Sequence, residues 1–279
     1  MTQLRPSITD KRRSFRRLHE SGCFLLPNPW DLGSARYLQS LGFKALATTS
    51  AGFAWSQGLP DNGVSRGAVL EHLAAMVEAT DLPINADFEG GFATDSAGVA
   101  ESVRLAVGTG VAGLSIEDSS GDPENPLLDL GTAVERIRAA RRAIDQNGGD
   151  AMLIGRSEGF IAGRPDIDAT IARLKAYADA GADCLYAPGL RSRDHIAALV
   201  AGLAPKPVNL LVGWASDMTL SSIAALGVRR VSVGGALARA AWGGLIRAAK
   251  TLAEQGSFGG FADSAAGADL DQFFTSGKK

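Results

Sequence analysis

An α/β fold closed as a (β/α)8 TIM-type barrel is what the chain predicts, on three observations. Short apolar runs rich in Val, Ile, Leu and Ala recur along its length, at 23–27, 44–48, 83–87, 112–117, 152–156, 183–187, 207–212 and 229–233. Segments of helical periodicity separate them. No Pro/Gly/Ser-rich linker long enough to separate a pair of domains interrupts the alternation. The runs are continuously apolar rather than alternating, so each strand is buried on both faces, as a helix-covered parallel sheet requires. A doubly wound open sheet satisfies the same pattern, but eight strand–helix units in about 250 residues favour closure.

A basic first helix containing Lys11-Arg12-Arg13, Arg16 and Arg17 precedes the first run. Helices are then expected at 34–41, 66–79, 96–107, 132–144, 167–180, 195–203 and 220–226, with a last one after Gly234-Gly235. Gly42, Gly110, Gly181 and Gly227 each sit between a helix and a strand, where glycine accepts the left-handed C-cap cheaply. These αβ turns mark the barrel floor, so functional residues belong at the opposite rim, just after each strand. One domain is expected over 1–255, including the N-terminal helix. A tail over 256–279, carrying Phe258, Phe261, Phe273 and Phe274, is expected to be loosely ordered or to dock on a neighbouring subunit.

The 279 residues are 46% hydrophobic and 21% charged, with a net charge of -2. Such a balance gives no field that would gather nucleic acid or an anionic membrane, and the basic helix reads as a solvated face or a subunit contact. No uncharged stretch is long enough to span a bilayer. Cys23 and Cys184 form neither a disulfide framework nor a thiolate site, which fits a reducing cytoplasm.

The rim gathers Asn28, Trp30 and Asp31 after the first strand, and Thr49, Ser50, Gly52 and Asp61 after the second. Asp87 and Glu89 follow the third, Glu117 the fourth, Arg156 and Glu158 the fifth, and Tyr186 the sixth. His19, His72 and His195 all fall in helical segments, and no strand ends in lysine, which argues against imidazole catalysis, His/Cys zinc and a Schiff base. Oxygen chemistry remains. Asp61, Asp87 and Glu117 suit Mg²⁺, which keeps several waters and takes few protein carboxylates. The fork of Arg156 suits a substrate carboxylate, or an ion pair that neutralises the rim. The Thr48 to Gly52 turn, with Thr49, Ser50, Ala51 and Gly52, offers hydroxyl and N–H donors to an enolate. Trp30 and Asn209 are expected to line the substrate site. Gly234-Gly235 reads as a phosphate cradle or simply a tight turn. The 58–63 segment looks like a loop over the site, and 119–126 like a lid.

Asn28-Pro29-Trp30-Asp31, Thr48-Thr49-Ser50-Ala51-Gly52, Gly58-Leu59-Pro60-Asp61, Asp87-Phe88-Glu89-Gly90-Gly91, Ser115-Ile116-Glu117-Asp118 and Gly155-Arg156-Ser157-Glu158 occur in order on successive strands. In these the chain resembles the isocitrate lyase and phosphoenolpyruvate mutase superfamily, in its short carboxyvinyl-carboxyphosphonate phosphorylmutase-like branch. The resemblance implies a Mg²⁺ enzyme (Mn²⁺ as the other candidate) that makes or breaks a C–C or P–C bond beside a carbonyl through an enolate. It implies Asp87 as direct metal ligand, with Asp61, Glu89 and Glu117 holding the metal's waters. Arg156 would bind the carboxylate and the Ser50 to Gly52 turn the enolate oxygen. It further implies a homotetramer, a dimer of dimers with exchanged C-terminal helices.

The chain departs from that pattern at Ser119-Ser120-Gly121-Asp122, where the lyases carry a cysteine and the mutases a lysine. It departs again at Tyr186-Ala187-Pro188-Gly189, where a mutase histidine is expected. Decarboxylation of oxaloacetate, or cleavage of a substituted malate, survives these losses. A P–C bond enzyme such as a phosphonopyruvate hydrolase, and a non-catalytic binding barrel, are the alternatives.

Overall fold

The computed structural model describes residues 5–276; residues 1–4 and 277–279, at the ends of the expected domain and tail, lie outside the described residues. Eight parallel strands form the sheet: β1 (Phe24–Leu26), β2 (Leu46–Ala47), β3 (Ile84–Asp87), β4 (Gly113–Glu117), β5 (Met152–Arg156), β6 (Cys184–Tyr186), β7 (Val208–Leu211) and β8 (Arg230–Ser232). Their order, β1-β8-β7-β6-β5-β4-β3-β2, is a ring in chain order opened only between β1 and β2. There the Ala47 N–H donates to the Pro27 carbonyl at 3.1 Å and bridges the gap.

Helix α1 (Ile8–Leu18) precedes the barrel. α2 (Leu32–Ser40) follows β1, while α3 (Ser50–Ser56) and α4 (Arg66–Ala79) follow β2. α5 (Ser96–Gly108), α6 (Leu130–Gln146), α7 (Ile167–Asp179), α8 (Arg193–Leu203) and α9 (Leu220–Ala225) follow β3 to β7 in turn. α10 (Ala236–Gln255) follows β8, and α11 (Gly267–Thr275) ends the described chain. Most βα loops bring their own cap: Asp31, Ser65, Asp95, Asp129, Asp166 and Ser192 accept an N–H from the first turn of the next helix. The αβ turns close as the glycines foretell, with φ of 84° at Gly42, 91° at Gly110, 109° at Gly181 and 84° at Gly227.

Apolar packing falls into two shells. Leu46, Ile84, Leu114, Leu153, Leu185, Leu210 and Val231 face the helices, while Leu26, Ala45, Ala47, Met152 and Ile154 face the barrel axis. The strands are therefore packed on both faces, which is why the sequence runs are continuous. Phe15 of α1 is fully buried among the axial residues and leaves so little room that a Cβ on Gly113 would lie 3.0 Å from its ring.

The basic helix is a solvated face only in part: Arg13 and Arg17 are exposed, while Lys11 and Arg12 are buried. Lys11 Nζ donates to the Val77 and Thr80 carbonyls, and Arg12 to those of Val107 and Val111 and to Asp150. These cations satisfy carbonyls at the C-terminal ends of α4 and α5, where the helix dipole favours positive charge.

α10 is the longest helix and buries little of itself. Of its twenty residues only Ala238 is buried, while Trp242, Leu245, Ile246 and Leu252 are exposed. The aromatic tail packs on its own barrel: Phe273 stacks edgewise on Tyr37 at 5.4 Å, and the Phe274 ring lies 5.6 Å from the Arg36 guanidinium, both on α2.

Candidate active site

The rim of the barrel holds a cavity of about 160 Å³. That suits a small organic acid and is well below the volume that drug-sized ligands occupy. Of the sequence candidates, Asn28, Thr49, Ser50, Ala51, Asp61, Asp87, Arg156 and Tyr186 line it. Glu89 and Glu117 line an adjoining cleft beside the 119–121 segment. Trp30, Gly52 and Asn209 do not reach the cavity surface. A Cβ on Gly52 would lie 3.0 Å from the Trp30 Cβ, so these two pack on each other behind the wall, and Asn209 is buried in the strand layer beneath.

Asp87 organises the rim. One carboxylate oxygen accepts from both the N–H and the hydroxyl of Ser50 at 2.9 Å. The other faces Arg156 Nη1 at 3.1 Å. The Asp87 N–H donates to Thr48 Oγ1, which fixes the strand end. What reads as a turn from Thr48 to Gly52 is the start of α3, with Thr49 as its N-cap. Its amides are therefore partly spent: Ser50's on Asp87 and Gly52's on Thr49 Oγ1. The Ala51 N–H, which makes no hydrogen bond among the described residues, is the donor left facing the cavity.

Arg156 is surrounded by carboxylates. Its Nε and Nη2 donate to Glu158, while Nη1 lies 3.1 Å from Asp87 and 3.3 Å from Glu117. Against the cost of burial, Glu117 and Glu158 hold the guanidinium protonated well above its ordinary range. Glu158 is set in turn by Asp118, which is 2% exposed: one Asp118 oxygen accepts the Glu158 N–H at 2.8 Å, and the other accepts the Tyr177 hydroxyl at 2.6 Å. No sequence signal beyond adjacency to Glu117 points to this support.

Glu89 holds a left-handed backbone, φ 49°, which a non-glycine residue adopts at a cost. Its carbonyl accepts from the Glu117 N–H at 3.0 Å, and Arg136 of α6 donates to Gly90 and Thr94 in the same loop. Burial, with Asp87 and Asp61 nearby, pushes the Glu89 carboxyl up to about 7. Burial and Asp87 likewise raise Asp61, and burial raises Glu117 despite Arg156. Three carboxylates, Asp87, Glu117 and Glu158, thus share one guanidinium with Asp61 and Glu89 close by, and that excess suits a divalent cation. Among the described residues no three His, Cys, Asp or Glu side chains converge on one point. The set fits an ion that takes few protein ligands and completes its shell with water and substrate oxygens.

Of the Gly234-Gly235 pair, both of which line the cavity, the Gly234 N–H is spent with that of Val233 on Asn28 Oδ1 at 2.9 Å. The 119–126 segment is ordered on itself, through a Ser119–Leu127 bridge and a bond from the Ser120 N–H to the Pro126 carbonyl. His72 stacks on Phe53 and His195 packs on Phe160, and neither lines the cavity. Reading the sequence for strand ends misses the deeper lining, which comprises Asn85, Ser115, Leu211, Arg230 and Ser232.

A profile of the phosphoenolpyruvate phosphomutase family matches residues 15–253. A solved structure from Burkholderia cenocepacia J2315, described only as a lyase/mutase, is 46% identical, covers 96% of this chain and 97% of its own, and superposes with a TM-score of 0.93. Oxaloacetate acetylhydrolase, solved with its product oxalate, is 27% identical over 96% of this chain and 95% of its own, with a TM-score of 0.86. An uncharacterized protein of Mycobacterium tuberculosis is 33% identical over 226 residues, 79% of this chain and 81% of that protein. With the profile spanning the whole barrel and these likenesses behind it, the chain belongs to the phosphoenolpyruvate phosphomutase family, within the PEP mutase/isocitrate lyase superfamily of enzymes acting on C–C or P–C bonds.

Proposed function

We propose that the chain is a divalent-cation-dependent lyase or decarboxylase acting on a small 2-oxo or 2-hydroxy dicarboxylate through an enolate. The observation that carries this reading is the surplus of carboxylates at the rim, where Asp87, Glu117 and Glu158 pair with Arg156, and Asp61 and Glu89 add two more acids without a cation of their own among the described residues. Asp87 would hold Mg²⁺ or Mn²⁺ directly, with Asp61, Glu89 and Glu117 taking its waters. A cation so bound supplies Lewis-acid stabilisation of negative charge growing on the substrate oxygen.

The chain's own residues do the rest. Arg156, locked in plane by Glu158, orients the carboxylate next to the carbonyl. The Ala51 N–H is the donor available to the position where the enolate oxygen forms, while the Ser50 hydroxyl and N–H hold Asp87 in place. The absence of Cys, Lys and His from the 119–126 segment favours a reaction that needs no thiol or amine there. Loss of CO₂ from oxaloacetate is such a reaction, because the departing carboxylate leaves its electron pair on the adjacent carbon. Cleavage of a substituted malate is the near competitor.

The exposed apolar face of α10 supports a homo-oligomer, a dimer of dimers in which C-terminal helices cover one another's neighbours. Among the described residues no helix is long and apolar enough to cross a membrane. We place the enzyme in the cytoplasm, where its two free thiols stay reduced.

Production of pyruvate and CO₂ from oxaloacetate, with Mg²⁺ or with chelator and against metal-only controls, tests the reading. Protein-dependent turnover that disappears in chelator and in Asp87→Ala supports it. Inactivity on oxaloacetate and substituted malates, with phosphate release from phosphonopyruvate, replaces it with P–C chemistry.

A further inference from the structure

Arg230 stands apart from Arg156, the other cation on the cavity wall. It enters from β8, is 2% exposed, and lines the cavity below Asp87 and Arg156. Among the described residues it forms no ion pair. Its Nε donates to Asn209 Oδ1 at 2.8 Å, and its Nη1 lies 3.4 Å from both Asn85 Oδ1 and His19 Nε2, all neutral partners. Its second terminal nitrogen makes no hydrogen bond among the described residues.

The imidazole is neutral because it is buried: burial, aided by the Arg230 charge, pushes His19 down to about 3. His19 Nδ1–H then donates to the Phe15 carbonyl at 2.8 Å and leaves Nε2 to accept from Arg230. Asn209 Nδ2 meanwhile donates to the Ser232 hydroxyl at 3.0 Å, which holds that group beside the guanidinium on the cavity wall.

A buried guanidinium is ordinarily paired with an anion, since neutral partners return only a fraction of its lost hydration. Here the described residues supply none, although the rim has carboxylates in surplus. Arg156 is in the opposite state, with every side-chain nitrogen on a carboxylate.

We propose that Arg230, with the Ser232 hydroxyl, is the subsite for the second carboxylate of the substrate. The inference rests on the reading of the cavity as a site for small oxo- or hydroxy-acids, and it makes the dicarboxylate a requirement rather than an option. The substrate lies along the barrel axis, its 2-oxo or 2-hydroxy acid end at the rim and its distal carboxylate at the base. Asn85, Asn209 and His19 are positioning residues that hold the guanidinium with one edge free.

The test is equilibrium binding of L-malate and L-lactate in the presence of Mg²⁺, two hydroxy-acids that differ by the distal carboxylate. A charge-assisted contact of this kind is worth about tenfold or more in affinity. The wild-type chain is expected to prefer malate by that margin. Arg230→Met is expected to bring the two affinities within about twofold while lactate binding stays as it was.

A wild-type chain that binds malate no more tightly than lactate, or an Arg230→Met chain that keeps the preference, overturns the proposal. Should Arg230→Met not fold, a crystal structure of the wild-type chain with malate decides: a distal carboxylate in hydrogen-bond contact with Arg230 sustains the proposal, and one placed elsewhere ends it. Binding is read without turnover. Inactivity on oxaloacetate therefore counts against the lyase reading alone, and active enzyme with an Arg230-independent malate preference counts against the subsite alone.

Discussion

The two ends of the barrel interior solve the problem of buried charge in opposite ways. At the rim, three carboxylates share one arginine with two more close by, and Asp61, Glu89 and Glu117 titrate above their ordinary range because they are buried together. At the base, one arginine sits among amides and a neutral imidazole, with no carboxylate partner among the described residues. Charge neutralisation within either layer would have been simple to build, and neither layer has it. The interior is polarised along its axis, negative above and positive below, and such an arrangement is complementary to a cation and a dianion taken up together.

The sharpest way to break the comparison is at the rim. Asp87→Ala removes the carboxylate on which Ser50 and Arg156 converge, and turnover is expected to fall at least about a thousandfold with the circular dichroism spectrum unchanged. Retained metal-dependent activity would remove Asp87 from the cation site. At the base the largest expected effect is on stability instead. Phe15→Ala empties the plug beneath the axial residues and is expected to cost about 3–5 kcal/mol in urea unfolding. A loss under about 1 kcal/mol would mean that the base is not closed by this ring.

Asp118→Asn probes the support of the rim. It keeps the shape but weakens the hold on the Glu158 N–H, so Arg156 loses its fixed plane. We expect kcat/KM to fall about tenfold, with KM for the acid rising, and the unfolding midpoint to drop as well, because Asp118 also pairs with Arg173 at 3.3 Å. An unchanged KM in folded enzyme, measured well below the unfolding midpoint, would make Asp118 a structural residue only.

The smallest effect concerns pH and the base. His19 has a folded pKa of about 3 against an unfolded value of about 6.5, so between them the unfolded chain binds a proton that the folded chain refuses. Stability attributable to this residue is whole above about pH 6.5 and is lost as pH falls, at up to about 1.4 kcal/mol per unit. The difference in unfolding free energy between about pH 6.5 and about pH 5 is expected to shrink in His19→Gln. An unchanged difference would show that His19 is charged in the native state.

Much of this architecture is legible in the chain. All eight strands fall within their apolar runs, because burial on both faces leaves few positions for polar side chains. The left-handed glycines mark the floor, and the acidic strand ends mark the rim. What a reading of the sequence misses lies where two structures share one signal. Thr48 to Gly52 reads as a turn because a seven-residue helix carries too few apolar positions to show a period. Trp30, Gly52 and Asn209 follow strands or sit in them, yet whether such a residue faces the cavity or the layer behind it depends on register and barrel closure. Arg230 escapes notice although Arg229-Arg230 places two charges inside a buried run; alternation sends one outward, to the Gly22 carbonyl, and the other into the barrel. The anchoring of the α1 cations escapes because helix-end carbonyls leave no mark in the sequence.

On the proposed reading, in which Glu89 holds a water of the cation, its left-handed backbone sets stability against function at a single codon. A side chain at that φ costs roughly 1–2 kcal/mol that glycine would not. A screen rewarding heat resistance alone would therefore drift toward glycine at position 89, and its most robust winners would be proteins that had discarded a rim carboxylate.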